Sequence, residues 1–320
     1  MNKTIKKILN ILGNVVTLLA IYFVFKKLFS SDLDYSEIFN QKDISIVLFV
    51  IIFLSIIIIL NCFPWKTLVE IFAKEKMPWL DTAKVYTKSN LLKYLPGNVF
   101  QYVGRNQLAS KMDISHIQVA AATVFDVAVN VLAGMILASI YLLKNNLLSD
   151  FFTDLPIALV LGLCLLFILF IILLFYVFRN KIRPWLKKYR YLFTKSTIKG
   201  LFICLAYYIV TMLVQSLLFI AVLVYVVGVS LDLNLFLSLF SAYTFSWLVG
   251  FVTPGAPAGI GIREAVMAGA TGGLINEGTI TFAMVIFRVL TTLADGIAFL
   301  LVFGYSKFVR KKKTPDKRVN

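Results

Sequence analysis

The chain has 320 residues, of which 60% are hydrophobic and only 15% charged, with a formal net charge of +16. A soluble domain carries about a quarter charged residues, so a water-soluble globular fold is excluded, and apolar runs such as "ISIVLFVIIFLSIIIIL" at 44–60 place the chain among all-α polytopic membrane proteins. The basic excess lies in short clusters between apolar segments, which reads as a topology signal and excludes nucleic acid as an expected partner.

The amino terminus, "MNKTIKKILNILGNVVTLLAIYFVFKKLF", is basic and then apolar like a signal peptide, but its apolar run is too long and no small-residue cleavage site follows. It is read as a retained first span. Eight spans of roughly 20 residues each are predicted, at about 8–29, 44–63, 116–142, 156–178, 200–228, 235–252, 262–276 and 279–305. The fifth is long and the seventh short, which leaves tilt, or a helix that does not cross, open at both. Residues 1–305 form the expected transmembrane domain and 306–320 a basic cytoplasmic tail.

Lysine and arginine set the orientation. They collect at Lys3, Lys6 and Lys7, in 64–115 (Lys93 among them), in the loop "RNKIRPWLKKYRYLFTKSTIK" at 179–199 and in the tail, whereas 30–43 is mostly acidic. Both termini are therefore expected in the cytoplasm. Pro-Trp pairs at 64–65, 78–79 and 184–185 are expected to anchor indole rings at headgroup level on that side. Cysteines placed at Ser31, Asn145 and Asp232 should react with an impermeant thiol reagent applied outside intact cells, and cysteines at Thr4 and Lys312 should not. Labelling at Thr4 would overturn the orientation.

Two segments interrupt this pattern. "KYLPGNVFQYVGR" at 93–105 and "TPGAPAGIGIRE" at 253–264 each carry Pro-Gly, at Pro96-Gly97 and Pro254-Gly255, followed nine residues after the proline by Arg105 and Arg263. Both fall on the cytoplasmic side, after the second span of a four-span half. The match suggests a parallel duplication of a four-helix unit, 1–178 and 200–305, with Pro96 superposing near Pro254 and Arg105 near Arg263. Two unrelated interfacial turns are the alternative. With Gly259 and Gly261, these prolines and glycines are expected to form broken or re-entrant segments. Irregular backbone at membrane depth is tolerated where it is buried in protein or lines a wet cavity.

Charge inside the spans points the same way, since an ionised side chain at a helix centre costs about 2.5–3.5 kcal/mol on insertion scales. Asp126 sits in "AATVFDVAVNVL" with Asn130 one turn later, Arg288 and Asp295 share a face of the last span, and Arg263-Glu264 open the seventh. One reading is a set of salt bridges that only fixes packing. The other is a polar cavity open to the cytoplasm, in which Arg105, Arg263 and Arg288 present forks to phosphate oxygens. Asp126, Glu264 and Asp295 would then hold the arginines, accept a cationic headgroup or carry a proton. The helix starting near Ile262 would offer unpaired amides to an anion.

The remaining signals read as packing. Cys62, Cys164 and Cys204 have no paired spacing, and His116, the single histidine, is taken as interfacial, so no metal site is expected. Gln215 reads as a helix–helix hydrogen bond, and Gly269, Gly272 and Gly273 as points of close helix contact. No Walker A lysine, nucleophile elbow or CxxC is found. The chain is therefore not expected to be an enzyme or to use a cofactor.

Taken in order, "KYLPGNVFQYVGR", "VFDVAVN", "TPGAPAGIGIRE" and "FRVLTTLADG" resemble the lysylphosphatidylglycerol synthase transmembrane region, a flippase-like family of eight-span proteins, over roughly 10–305. Two positions depart from its usual pattern: Asp126 is followed by Val127 rather than arginine, and Pro254-Gly255 by Ala256 rather than glycine. The resemblance implies movement of a lipid between leaflets in a bacterial or archaeal cytoplasmic membrane. Without the fused aminoacyl-transfer domain it does not imply lipid synthesis. The expectation is a lipid translocase acting on a phospholipid, glycolipid or isoprenoid-linked lipid with a phosphate-containing headgroup, running downhill or ion-coupled, with a homo-oligomer left open. The alternatives are a non-transporting accessory protein bound to a cell-envelope biosynthetic enzyme, and an intramembrane transferase using the acids as base.

Overall fold

The computed structural model describes residues 41–94, 99–112, 114–144, 194–253 and 257–313. Every regular element among them is helical: α1 Gln41–Leu60, α2 Cys62–Ala73, α3 Trp79–Asn90, α4 Phe100–Ala109, α5 His116–Lys144, α6 Lys195–Tyr225, α7 Leu233–Val252, α8 Ile262–Ala270 and α9 Glu277–Lys313. The predicted spans at 8–29 and 156–178, the residues Pro96, Gly97, Pro254, Gly255, Cys164 and Trp185, and the end of the tail lie outside the described residues.

Among the described residues, five stretches are long and apolar enough to cross a membrane: Ile44–Ala73, His116–Ser139, Lys195–Tyr225, Leu233–Val252 and Glu277–Val309. The first runs through α1 and α2, because Pro64 falls in the first turn of α2, where a helix tolerates a missing N–H. In α1 the buried residues Val50, Leu54, Ile57 and Ile58 form one stripe, and the opposite face carries exposed Leu48, Phe49, Ile52 and Ile56. Both faces are apolar because one meets protein and the other lipid.

The predicted seventh span, 262–276, is not among the helices long and apolar enough to cross a membrane. α8 has 9 residues, about 13 Å at ~1.5 Å per residue, well short of a hydrocarbon core of about 30 Å. It stops at Thr271 and a turn in which Gly273 takes φ 80°, and it packs against α7 before α9 and also against α9. α3 and α4 were not predicted as separate elements. They are short, polar on one face, and packed on each other, with α4 also against α5.

The turn into α3 is fixed by Glu70, whose Oε1 accepts from Met77 N at 2.7 Å and Lys66 Nζ at 2.6 Å, while Lys74 ends α2 in the left-handed region. Thr194 and Asp232 cap α6 and α7, accepting from Thr197 N and Leu235 N.

Two apolar clusters hold the bundle. In one, Phe219, Tyr243 and Phe287 from α6, α7 and α9 meet with ring centroids 5.1–5.8 Å apart. In the other, Trp65, Leu68, Phe72, Val119 and Cys204 join α2, α5 and α6. Trp65 corrects an expectation. It is fully buried, with Nε1 donating to Thr123 Oγ1 at 3.1 Å, because α2 runs on past it to Ala73 and packs against α5 and α6. Trp79 is exposed. Cys62 and Cys204 are free and buried, as small apolar side chains. α9 lies along α1 as α7 lies along α5, and this reciprocal packing frames the cavity described next.

Candidate functional site

The charged residues of the spans converge. A cavity of about 190 Å³ is lined by Arg105, Asp126, Asn130, Arg263, Arg288 and Asp295 together with Lys93, Tyr208 and Gln215. Among the described residues, eight α-helices (α1 and α3 to α9) and the turn after α3 therefore contribute to one polar chamber.

Asp126 projects from the middle of α5. Its Oδ2 receives Arg105 Nη1 at 3.3 Å and its Oδ1 receives Tyr208 OH at 2.5 Å. Arg105, only 2% exposed, lies with its guanidinium carbon 4.1 Å from the centre of the Tyr86 ring and 5.5 Å from that of Trp65. The ring faces partly replace the water it has lost. Asp295, on α9, accepts from Asn90 Nδ2 at 2.6 Å, Tyr94 OH at 2.5 Å and Lys93 Nζ at 2.6 Å. The expectation that this acid serves an arginine is corrected, because the turn Leu91–Tyr94 brings the lysine and the tyrosine to it first. By sequence alone Lys93 reads as a topology signal.

The second break is built from positive-φ residues. α7 ends at Val252, Pro257–Gly259 forms a 3-10 turn, and Ala258, Gly259 and Gly261 take φ of 49°, 75° and 79° before α8 restarts at Ile262. A Cβ at Gly259 would lie 2.9 Å from Gly250 O, and one at Gly250 would overlap Arg263 Cγ. Glycine is required at both positions to let the break close on α7 and to pass the arginine between them. Ala258 is a non-glycine in the left-handed region, held where its carbonyl accepts from Arg288 Nη2 at 3.1 Å.

Glu264 corrects two expectations. Its Oε1 meets Arg288 Nε at 3.2 Å, so it restrains Arg288 rather than its neighbour Arg263. Its Oε2 accepts from Gly261 N at 2.7 Å, the carboxylate half of a capping box, with no N-cap side chain to return the bond. The start of α8 thus already holds the protein's own carboxylate at its first amide. Glu264 stands behind Arg288 and is not on the cavity wall.

Arg263 is different. It makes no ion pair or hydrogen bond among the described residues, its Nε is buried without a partner, and its guanidinium carbon lies 5.8 Å from the centre of the Trp247 ring. Arg288 Nη1 is likewise buried without a partner.

Other readings from the sequence are revised. Gln215 lines the cavity and bonds no neighbouring helix among the described residues. A Cβ at Gly269 or Gly273 would meet nothing within 4 Å and one at Gly272 only its own turn, whereas Gly134 and Gly200 are the points of close helix contact, against Trp247 and Ile71, and Gly250 and Gly259 make room for a guanidinium. His116 is exposed and contacts Asn106. Among the described residues, no cluster of three or more His, Cys, Asp or Glu could hold a metal ion.

Residues 10–298 match the family described as "Lysylphosphatidylglycerol synthase TM region". No curated protein and no solved structure matches the chain.

Proposed function

Since the chain belongs to the lysylphosphatidylglycerol synthase transmembrane family, a membrane domain of flippase-like proteins, we propose that it moves a lipid with a phosphate-containing headgroup between leaflets. The headgroup enters the polar cavity and the acyl chains stay in the bilayer. The observation that carries this reading is the convergence of four cations and two carboxylates, from segments far apart in the sequence, on one chamber.

A structural salt bridge needs one acid and one base. Among the described residues, this chamber keeps a guanidinium that no acid serves, which is a binding feature more than a packing one. The break at 257–261 supports the same reading, because backbone that leaves the helix at membrane depth is tolerated where it borders a cavity. On this reading both termini are cytoplasmic, the chain acts without a cofactor, and it performs no group transfer. The halves 1–178 and 200–305 are proposed to derive from one unit; with α8 too short to span, α5 corresponds to α9 and α1 to α7, and the packing of α9 on α1 then repeats that of α5 on α7.

The test is reconstitution of the purified chain in liposomes containing headgroup-labelled lipid, with loss of outer-leaflet signal followed after a quencher is added. The wild type should carry label across faster than protein-free vesicles, and R263Q should abolish the gain while remaining folded. Vesicles indistinguishable from protein-free controls would defeat the translocation reading. Co-purification of a cell-envelope enzyme in that case would favour the accessory role.

A further inference from the structure

On the reading that the chamber admits a lipid headgroup, we propose that its two irregular segments have different roles. The break at 257–261 is a fixed wall, and the turn Leu91–Tyr94 is a gate that Asp295 latches shut.

The two segments meet. The turn Leu91–Tyr94 packs against Pro257–Gly259, and both border the chamber, through Lys93 and Tyr94 on one side and Ala258 on the other. α9 clasps each with one charged side chain. Asp295 takes the first, and Arg288, seven residues earlier on the same face, takes the second through Ala258 O.

The fastenings differ in kind. The second segment is held from three directions: Arg288 on the Ala258 carbonyl, Glu264 on the Gly261 amide, and Gly259 set so close to Gly250 O that a Cβ would lie 2.9 Å from it. Glu264, Met267 and Ala268 then bury one face of the helix that follows. The first segment has no such anchorage, since none of the residues Leu91–Tyr94 is fully buried. The bonds from Asn90, Lys93 and Tyr94 meet on the single carboxylate of Asp295.

Bonds that share one acceptor are lost together, so release of the turn is a two-state event and not a gradual loosening. The Lys93 side chain is 24% exposed and that of Asp295 1%, so the lysine can swing to water while the acid stays in the wall. α3 does not have to follow. Its Thr82, Tyr86, Thr87 and Ser89 are buried, and it packs along α9. A short turn with few buried contacts opens at lower free energy than a packed helix. With the turn displaced, water reaches Asp295 and the chamber opens beside the second segment.

Two measurements on the purified full chain in detergent test this, and neither needs a lipid ligand. The first is backbone hydrogen exchange, read by mass spectrometry on peptides covering 91–94 and 257–264. In the wild type 91–94 should exchange at least about tenfold faster than 257–264. D295N and Y94F should speed 91–94 further and leave 257–264 as it was. The second follows N130C, on the chamber wall, as a negatively charged methanethiosulfonate labels it. Labelling, read on the peptide carrying residue 130, should be at least about tenfold faster when Y94F or D295N is added.

Equal exchange of the two segments in the wild type overturns the proposal. So does D295N speeding both alike, which would make the carboxylate a general support. Unchanged labelling of N130C would show that the turn is not the way in. Should D295N fail to fold, Y94F, which removes one hydroxyl, decides together with the wild-type comparison. The gate and the translocation reading fail separately. A latch that behaves as described in a chain that moves no lipid leaves the gate standing. Lipid movement by a chain whose 91–94 is as protected as 257–264 does the reverse.

Discussion

Replacing Arg288 with glutamine is expected to destabilise the protein by about 3–5 kcal/mol, the usual consequence of leaving one partner of a buried ion pair alone. The same change at Arg263 is expected to leave stability nearly unchanged. From the sequence the two arginines look equivalent, and both substitutions would be expected to spare the fold. The structure separates them. Glu264 is 1% exposed and its Oε1 has Arg288 Nε at 3.2 Å, so R288Q strands a buried carboxylate with only the Gly261 amide. Among the described residues, Arg263 has no acid to strand. The double variant R288Q/E264Q should recover most of the loss, because a glutamine at that helix position can still accept from the Gly261 amide. Unfolding in detergent of the four proteins provides the measurement. Equal shifts for R288Q and R263Q, or no recovery in the double variant, would show that Glu264 does not depend on Arg288.

A loss of similar size is expected at the other end of the chamber. R105Q leaves Asp126 with Tyr208 OH alone and removes the cation from over the Tyr86 ring, costing about 3–5 kcal/mol. R105K should fall between, losing about 1–2 kcal/mol, since an ammonium cannot both lie flat on Tyr86 and reach Asp126 with a fork. R105Q/D126N removes both charges and should be more stable than R105Q. A thermodynamic cycle on these variants giving no coupling between positions 105 and 126 would contradict the pairing. Because Arg105 and Asp126 are both on the cavity wall, recovery of stability in the double variant need not restore lipid movement.

Much of this was legible from residue types. Ionised groups are so costly in a span that Asp126, Arg288 and Asp295 had to meet protein or a cavity, and Pro-Gly followed by glycines at 259 and 261 announces a break. Their pairings were not legible. Arg105 and Asp126 lie 21 residues apart, and Asp295 and Asn90 lie 205 apart, so only the packing of whole helices decides which acid reaches which base. Local polarity also misled. Lys93 looks like any lysine in a basic cytoplasmic stretch, yet the turn at Leu91–Tyr94 carries it inward. Trp65, after a proline and before a lysine, has the neighbours of an interfacial anchor, but the helix that continues to Ala73 buries it. The nine-residue α8 is apolar enough to resemble a span. Its length is set by Thr271 and by the glycine at 273 with φ 80°, a backbone requirement that hydrophobicity does not report.

The wide sequence separation at Asp295 has a consequence for biosynthesis. The three donors on Asn90, Lys93 and Tyr94 are translated long before the carboxylate that accepts from them, with Tyr94 and Asp295 201 residues apart. At ~5–20 residues per second that interval is roughly 10–40 s. Throughout it the segment around Tyr94 has been made while its acceptor is still inside or behind the ribosome. Closing the chamber is therefore a late, post-insertion event that waits for the final span, and a nascent chain stalled before residue 295 should leave that wall open to proteases that the finished protein resists.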